Sequence, residues 1–245
     1  MCEVALEDSQ ECQLGKTKDY ELNIDREGED VVVLSIHGGL IEPYTSQVSA
    51  DVAQRFTWKR YDFEAHARPQ CSGYDGSVVG KINQANFRNL HITSSRFNEK
   101  QALKLVRSNP QTVSIHGYSP SRQYDKGLIC VGGRNVERNT QVKNFIHYIK
   151  KNRENLDLVA KDARSAKRGE DCGAVGSRPR LSGSLKKNIV NQNSNHAGLQ
   201  LEFNYQMLES LGDRSSADYE KYDAHRTLIY DAIKYAINNF PPVEE

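Results

Sequence analysis

Two tetrapeptides in this chain repeat one order of residues: Ser35-Ile36-His37-Gly38 and Ser114-Ile115-His116-Gly117. In each, a short apolar run ends at a histidine, and a glycine then releases the chain. Imidazole nitrogen is a ligand for zinc and similar metals. In open α/β sheets, ligands bind beyond the carboxyl ends of the strands. Two histidines in the same register at two such ends can turn their rings into one space. Glu42 lies a few residues beyond His37, across Gly38 and Gly39, in a loop free to curl back. His37, Glu42 and His116 form a three-ligand set suited to one Zn²⁺ ion, with a fourth position left for water or substrate. Zinc so held lowers the pKa of water and polarises a carbonyl.

Chemistry of that kind needs a group to move protons. In Gly198-Leu-Gln-Leu-Glu-Phe-Asn204, strand alternation sets Leu199, Leu201 and Phe203 on one face and Gln200, Glu202 and Asn204 on the other. Glu202 is therefore the candidate general base and acid. Each residue alone has an ordinary alternative. A strand-terminal histidine is commonly a hydrogen-bonded structural residue, Glu42 a surface loop acid, and Glu202 an exposed position on an edge strand. The repeated Ser-Ile-His-Gly is what favours a shared site.

The elements that must position these groups follow from the hydrophobic pattern. Asp30–His37 is an apolar run that stops at Gly38-Gly39, as a buried strand does. Thr45 or Ser46 caps a helix running to about Phe56. Strands are expected at Tyr61–Glu64, Asn89–Ser94, Pro110–His116, Gly127–Val131 and Gly198–Asn204. Helices are expected from about Asn98 to Arg107, from a cap at Asn139 to about Lys151, and from about Ser216 to Phe240. Residues 152–188 carry the weakest pattern and a basic excess. Strands alternating with helices predict an α/β fold: a mixed, largely parallel sheet with helices on both faces. The first 18 residues are polar and irregular and suggest a flexible leader, leaving one domain over 19–245.

Composition narrows the function classes. The 245 residues are 37% hydrophobic and 27% charged, with a net charge of +1. That balance gives no global attraction to nucleic acid or to a membrane surface. No window reaches the roughly 18 apolar residues of a membrane span. The N-terminus, with Glu3, Glu7, Asp8 and Glu11, lacks the basic start and apolar run of a signal peptide, which suggests synthesis in the cytoplasm. The five cysteines show no Cys-x-x-Cys spacing. The simplest expectation is a reduced intracellular chain with Cys130 as a small core residue; a Cys2–Cys12 bridge is the alternative.

His37-Gly-Gly-Leu-Ile-Glu42, with Thr45-Ser46 behind it, resembles the opening motif of the poly-γ-glutamate hydrolase family. The resemblance continues through Phe63-Glu64, Asn89-Leu-His-Ile-Thr-Ser94, Phe97-Asn-Glu99, Val113-Ser-Ile-His-Gly117, Val131-Gly-Gly133, Asn188-Ile189 and Gly198-Leu-Gln-Leu-Glu-Phe203. These blocks occur in family order over roughly residues 19–210. The family includes phage-encoded enzymes that strip the γ-linked polyglutamate coat of bacilli, a form of capsule degradation. If this chain is phage-encoded, host lysis would release it. The resemblance implies a zinc carboxypeptidase-like fold with an eight-stranded mixed sheet, zinc on His37, Glu42 and His116, and Glu202 as general base and acid. One departure stands out: an arginine usually follows the family's Asn-Ile-x-Asn stretch, whereas here Asn191 is followed by Gln192.

A polyglutamate substrate carries one carboxylate per residue and calls for fixed cations. Candidates are the basic tract between Lys150 and Lys187, Arg134 after the strand-ending Gly132-Gly133, and, as further cleft residues, His91 and Tyr118. The chain is expected to act as a monomer on an anionic polyglutamate or related amidated substrate. Two alternatives stay open. One keeps the zinc site but takes another substrate, such as peptidoglycan peptides or acyl-amino acids. The other is a catalytically silent module that binds a polyanion.

Overall fold

Val31 to Ile36 form part of a buried central strand in a mixed seven-stranded sheet. A computed structural model of the chain describes residues 20–66, 87–119, 127–134, 140–174 and 181–239. The strands are β1 (Tyr20–Asp25), β2 (Glu29–Gly39), β3 (Trp58–Ala65), β4 (Gln111–Tyr118), β5 (Gly127–Gly132), β6 (Leu158–Asp162) and β7 (Leu199–Asn204). Their order across the sheet is β1-β3-β2-β4-β7-β5-β6. β1 runs antiparallel to β3, and β5 antiparallel to β7; the remaining neighbours are parallel. The helices are α1 (Thr45–Phe56), α2 (Lys100–Arg107), α3 (Gln141–Asn152), α4 (Tyr205–Gly212) and α5 (Asp223–Asn238).

Alternation along the central strands divides the core between the two faces. Val33, Val113, Ile115, Leu199 and Leu201 pack against Val48 and Val52 of α1, Phe145 and Ile149 of α3, Leu208 and Leu211 of α4, and Ile229 and Ile233 of α5. On the opposite face, Val32, Leu34, Ile36, Tyr61 and Phe63 meet Ala102, Leu105 and Val106 of α2 together with Ile189. Glu99 caps α2 by accepting from the backbone N–H groups of Gln101 and Ala102. The expected mixed, largely parallel sheet with helices on both faces is the observed architecture.

Four sequence expectations need correction. Asn89–Ser94 is not a strand. The His91 N–H bonds to the Phe87 carbonyl and the Ile92 N–H to the Leu90 carbonyl, so local acceptors take donors that a ladder would need. The weakly patterned tract contains β6, which lies at the sheet edge beside β5 and needs only a short apolar run. The last helix begins at Asp223, and a separate α4 follows β7 directly. Cys130 is not a free thiol: it is joined to Cys172 across a separation of 42 residues, tying β5 to the turns after β6. Cys2, Cys12, Cys71, Asn139, Phe240 and the expected leader lie outside the described residues. Seven strands are present among the described residues, where the resemblance implied eight. None of the described helices is long and apolar enough to cross a membrane.

One buried charge stands apart from the site. Asp62, 1% exposed, lies on β3 with Ser35 of β2 and Asn23 of β1 as its register partners. Burial pushes its carboxyl up to about 7; the Ser49 hydroxyl and Arg60 pull it down, and Glu64 adds to the rise. Arg60 Nε sits 3.2 Å from Asp62 Oδ2. A folded-state pKa above the unfolded value means that the native state holds the extra proton, so stability falls as pH rises from about 4 to 7. Asp62→Asn is expected to remove that slope, raising stability above pH 8 by up to about 4 kcal/mol while changing little near pH 4. Urea unfolding of both proteins at pH 5 and pH 8.5 reads the difference; parallel pH profiles would remove this role from Asp62.

Candidate metal centre

The two Ser-Ile-His-Gly segments are one residue out of step in the sheet. Leu34, not Ser35, pairs with Ser114. Continued unbroken, that register would set His37 beside Gly117 and turn its ring to the face that carries Ile115. Between Ser35 and Gly38 the β2/β3 pairing slips: Ser35 lies opposite Asp62, yet Gly38 lies opposite Glu64. An extra residue in one strand reverses the alternation beyond it. His37 therefore comes to the face of His116 through a bulge, not through matching register.

The loop after β2 is held by local bonds. Gly39 has φ 65°, and a Cβ there would stand 2.2 Å from the Ala65 carbonyl oxygen, so only glycine fits. The Glu42 N–H donates to the His37 carbonyl at 2.8 Å. The Thr45 hydroxyl donates to the Glu42 carbonyl and accepts from the Ser35 hydroxyl, each at 2.8 Å. The result brings the Glu42 carboxylate back over the strand ends. Its Oε1 is 2.7 Å from His37 Nδ1, and its Oε2 is 3.3 Å from His116 Nδ1 and accepts the Gly117 N–H at 2.9 Å. The two Nδ1 atoms are 3.3 Å apart.

The outer nitrogens of both rings are also engaged. His37 Nε2 donates to the Ile92 carbonyl at 2.8 Å, and His116 Nε2 lies 2.8 Å from the Ser114 hydroxyl. A carbonyl only accepts, so the neutral His37 ring keeps its proton on Nε2 and turns a lone pair at the Glu42 carboxylate. A proton or a cation must occupy the gap between them. Tetrahedral zinc, with bonds of about 2.0–2.1 Å, separates its ligand atoms by roughly 3.3 Å, which matches the His37–His116 and His116–Glu42 spacings, while the 2.7 Å contact between His37 and Glu42 is shorter. One donor atom from each of His37, Glu42 and His116 lies within 4.8 Å of the others. Burial alone would raise the Glu42 carboxyl, but the charges and hydrogen bonds of His37 and His116 outweigh it and hold the group well below the usual carboxylate range.

Glu202 shares this space. It is the register partner of His116 on β7, so both side chains project from one face of neighbouring strands. It lies on a central strand and is 8% exposed, which rules out the alternative of an exposed edge position. Gln200 Nε2 donates to Glu202 Oε1 at 2.8 Å. His37, Glu42, His116 and Glu202 all line one cleft of about 790 Å³, a size suited to a small molecule or a polymer segment. Its walls include Ile41, Pro43, Leu181, Leu185, Tyr205 and Leu208, with hydroxyls from Thr93, Ser94, Ser95 and Ser182.

The other expected residues divide. His91 lines the cleft, with Nε2 3.3 Å from Glu42 Oε1 and its ring edge-on to His37. Tyr118 lines it too, and its hydroxyl lies 3.4 Å from Cys130 Sγ. Arg134 does not line the cleft: its backbone N–H bonds to Asn191 and its guanidinium to the His196 carbonyl. Because β5 is antiparallel to β7, the residues after Gly132 lie toward the start of β7, away from the end that carries Glu202. None of the described basic residues between Lys150 and Lys187 lines the cleft either. Lys161 and Arg164 face Asp171 and Asp162. Gln192 accepts from Arg107 on α2. Sequence reasoning missed Ser114, Gly117 N–H and the Ile92 carbonyl as supports. Ser114 was findable, two residues before His116 on the same strand face; a backbone carbonyl in a loop leaves no trace in residue types.

Fold and site together define an α/β protein with a buried candidate metal centre at the ends of its central strands. Residues 8–233 match the family model of poly-gamma-glutamate hydrolase, and the chain belongs to that family. Among curated relatives, it is 29% identical over 172 residues to the SPbeta prophage-derived UPF0714 protein YoqZ of Bacillus subtilis (strain 168), covering 70% of this chain and 48% of that protein. It is 33% identical over 115 residues to UPF0714 protein YndL of the same strain, covering 47% and 37%. The match to these two relatives thus spans half of their length or less. Among solved structures, a bacteriophage poly-gamma-glutamate hydrolase superposes with a TM-score of 0.63 at 22% identity, over 91% of this chain and 89% of that one. A zinc-free apo form of YndL superposes with a TM-score of 0.60 at 21% identity, over 91% of each chain. At these identities the superpositions speak to the fold.

Proposed function

We propose that the chain is a zinc-dependent hydrolase of the γ-glutamyl amide bonds of poly-γ-glutamate, with His37, Glu42 and His116 as ligands of one ion and Glu202 as general base and acid. The observation that carries the reading is the convergence of those ligand atoms beside Glu202, in a chain of this family. That the YndL structure is a zinc-free apo form adds support for the choice of metal. Bound there, zinc would supply a Lewis acid for the scissile carbonyl and for the attacking water. Ile92 and Ser114 hold the outer ring nitrogens, so the inner ones stay turned to the centre. Glu202 takes the proton of the water that attacks the amide carbon and delivers it to the leaving nitrogen as the C–N bond breaks. The leaving group departs as a neutral amine, and the other product is a free γ-carboxyl. His91, at the rim against Glu42, is positioned to meet substrate.

The cleft wall favours keeping one second reading. No lysine or arginine lines it among the described residues, so an amidated substrate with fewer carboxylates, such as a peptidoglycan peptide or acyl-amino acid, suits the same centre. The silent-module alternative has less support, because a binder has no use for a buried carboxylate beside a complete ligand set.

Metal removal tests the reading. Protein stripped with a chelator is expected to lose polymer cleavage and to regain it with one equivalent of zinc, read by gel mobility of poly-γ-glutamate and by amine release. Cleavage that survives full metal removal would reject the metal-dependent mechanism. A zinc-loaded protein that leaves the polymer intact but releases amine from peptidoglycan fragments would transfer the assignment to the second reading.

A further inference from the structure

We propose that Asn188 and Gln200 are positioning residues that form a one-way hydrogen-bond relay holding the Glu202 carboxylate in its working orientation. The inference rests on the reading of Glu202 as the proton-moving group. Asn188 stands at the start of a 3₁₀ turn, Ile189–Asn191, where its Oδ1 accepts the Val190 N–H at 3.1 Å. Its Nδ2 is therefore turned the other way and donates to Gln200 Oε1 at 2.8 Å. With that oxygen engaged, Gln200 Nε2 donates to Glu202 Oε1 at 2.8 Å.

The polarity of the chain cannot be reversed locally. Flipping the Gln200 amide would set its oxygen against the Glu202 carboxylate and its nitrogen against Asn188 Nδ2, replacing two hydrogen bonds by two repulsions. A backbone donor at Val190 thus fixes the direction of both amides in turn and aims a donor at Glu202. All three are buried, at 6%, 4% and 8% exposure, where each bond is stronger than in water and a broken link is costly. Gly183 closes over the amide: a Cβ there would come within 2.5 Å of Gln200 Oε1. Gln200, Glu202 and Asn188 all line the cleft, so the relay runs along the floor of the site.

A group that acts through Glu202 differs from general packing in two readouts. Gln200→Leu is expected to lower kcat by about 10- to 100-fold, with KM and zinc content close to wild type and a modestly lower thermal midpoint from the unpaired Asn188 amide. In a Glu202→Gln background, Gln200→Leu should cost nothing further, because the group being oriented no longer moves a proton. Equal losses in both backgrounds, or a kcat unchanged by Gln200→Leu, would overturn the proposal. Asn188→Asp keeps the bond to Val190 but cannot donate to Gln200, and it should reproduce the kcat loss without removing volume.

A measurement independent of turnover is the NMR signal of the Gln200 side-chain amide, assigned by its disappearance in Gln200→Leu. Its protons are expected to exchange slowly in wild type, and about tenfold or more faster in both Asn188→Asp and Glu202→Leu, which removes the acceptor. Fast exchange in wild type defeats the relay. A protected amide in a protein that cleaves no poly-γ-glutamate defeats the substrate reading and leaves the relay standing.

Discussion

His116→Ala is expected to give a folded protein that retains no stoichiometric zinc and cleaves polymer at no more than about a thousandth of the wild-type rate. The argument is geometric. His116 supplies one of three converging donor atoms, and it is also one of three histidines beside the Glu42 carboxylate, with His37 and His91. Without it, the proposed site would keep two protein ligands, too few for a catalytic zinc site, which ordinarily uses three. Glu42 would keep His37 and the Gly117 N–H as partners. The expected damage is therefore to metal retention first, and to stability less. Ser114→Ala offers a graded comparison: it removes only the group beside His116 Nε2, and a change of about 10- to 100-fold in zinc affinity is expected. Metal analysis after dialysis, with circular dichroism to confirm folding, reads both variants. A His116→Ala protein that holds zinc as tightly as wild type would remove His116 from the centre.

The convergence of His37, Glu42 and His116 into one candidate centre is legible in residue types, and the reasons differ from residue to residue. His37 and His116 were found because each ends an apolar run at a glycine, and Glu42 because two glycines free the chain to return. Matching register is nevertheless not what brings the two histidines together. Matching tetrapeptides imply matching register only if the strands pair without slippage, and here Leu34 pairs with Ser114 while a bulge re-aims His37. A bulge is a property of two strands together, so neither segment announces it. His91 was placed on a strand that does not form; it reaches the cleft from a loop whose N–H groups bond locally. Arg134 was chosen for its place after a strand end, but β5 runs opposite to β7, and that end is the wrong one. Strand direction across a mixed sheet depends on crossovers, which local pattern does not encode. The Cys130–Cys172 bond was missed for the same reason. Its partners are 42 residues apart, and only the pairing of β5 with β6 brings the following turns back to Cys130.

Glu202→Gln is expected to keep its zinc and its fold while kcat falls by about a thousandfold, with KM little changed. The substitution is nearly isosteric, and the incoming amide oxygen can still accept from Gln200 Nε2, so the floor of the cleft should remain in place. What is lost is the ability to take a proton. A carboxylate is needed twice in amide hydrolysis: to remove a proton as water attacks, and to return it as nitrogen leaves. Amide nitrogen is a poor leaving group unless protonated, so losing the second role matters as much as losing the first. Both roles belong to the transition state and not to substrate binding, which is why the effect should fall on kcat. Paired with His116→Ala, the variant separates two kinds of failure, one with metal absent and one with metal present but idle. Polymer shortening and zinc content measured on the same preparations distinguish them. If Glu202→Gln cleaves at the wild-type rate with zinc bound, the proton is carried by another group, and the candidates lining the cleft outside the ligand set are His91, Tyr118 and Tyr205.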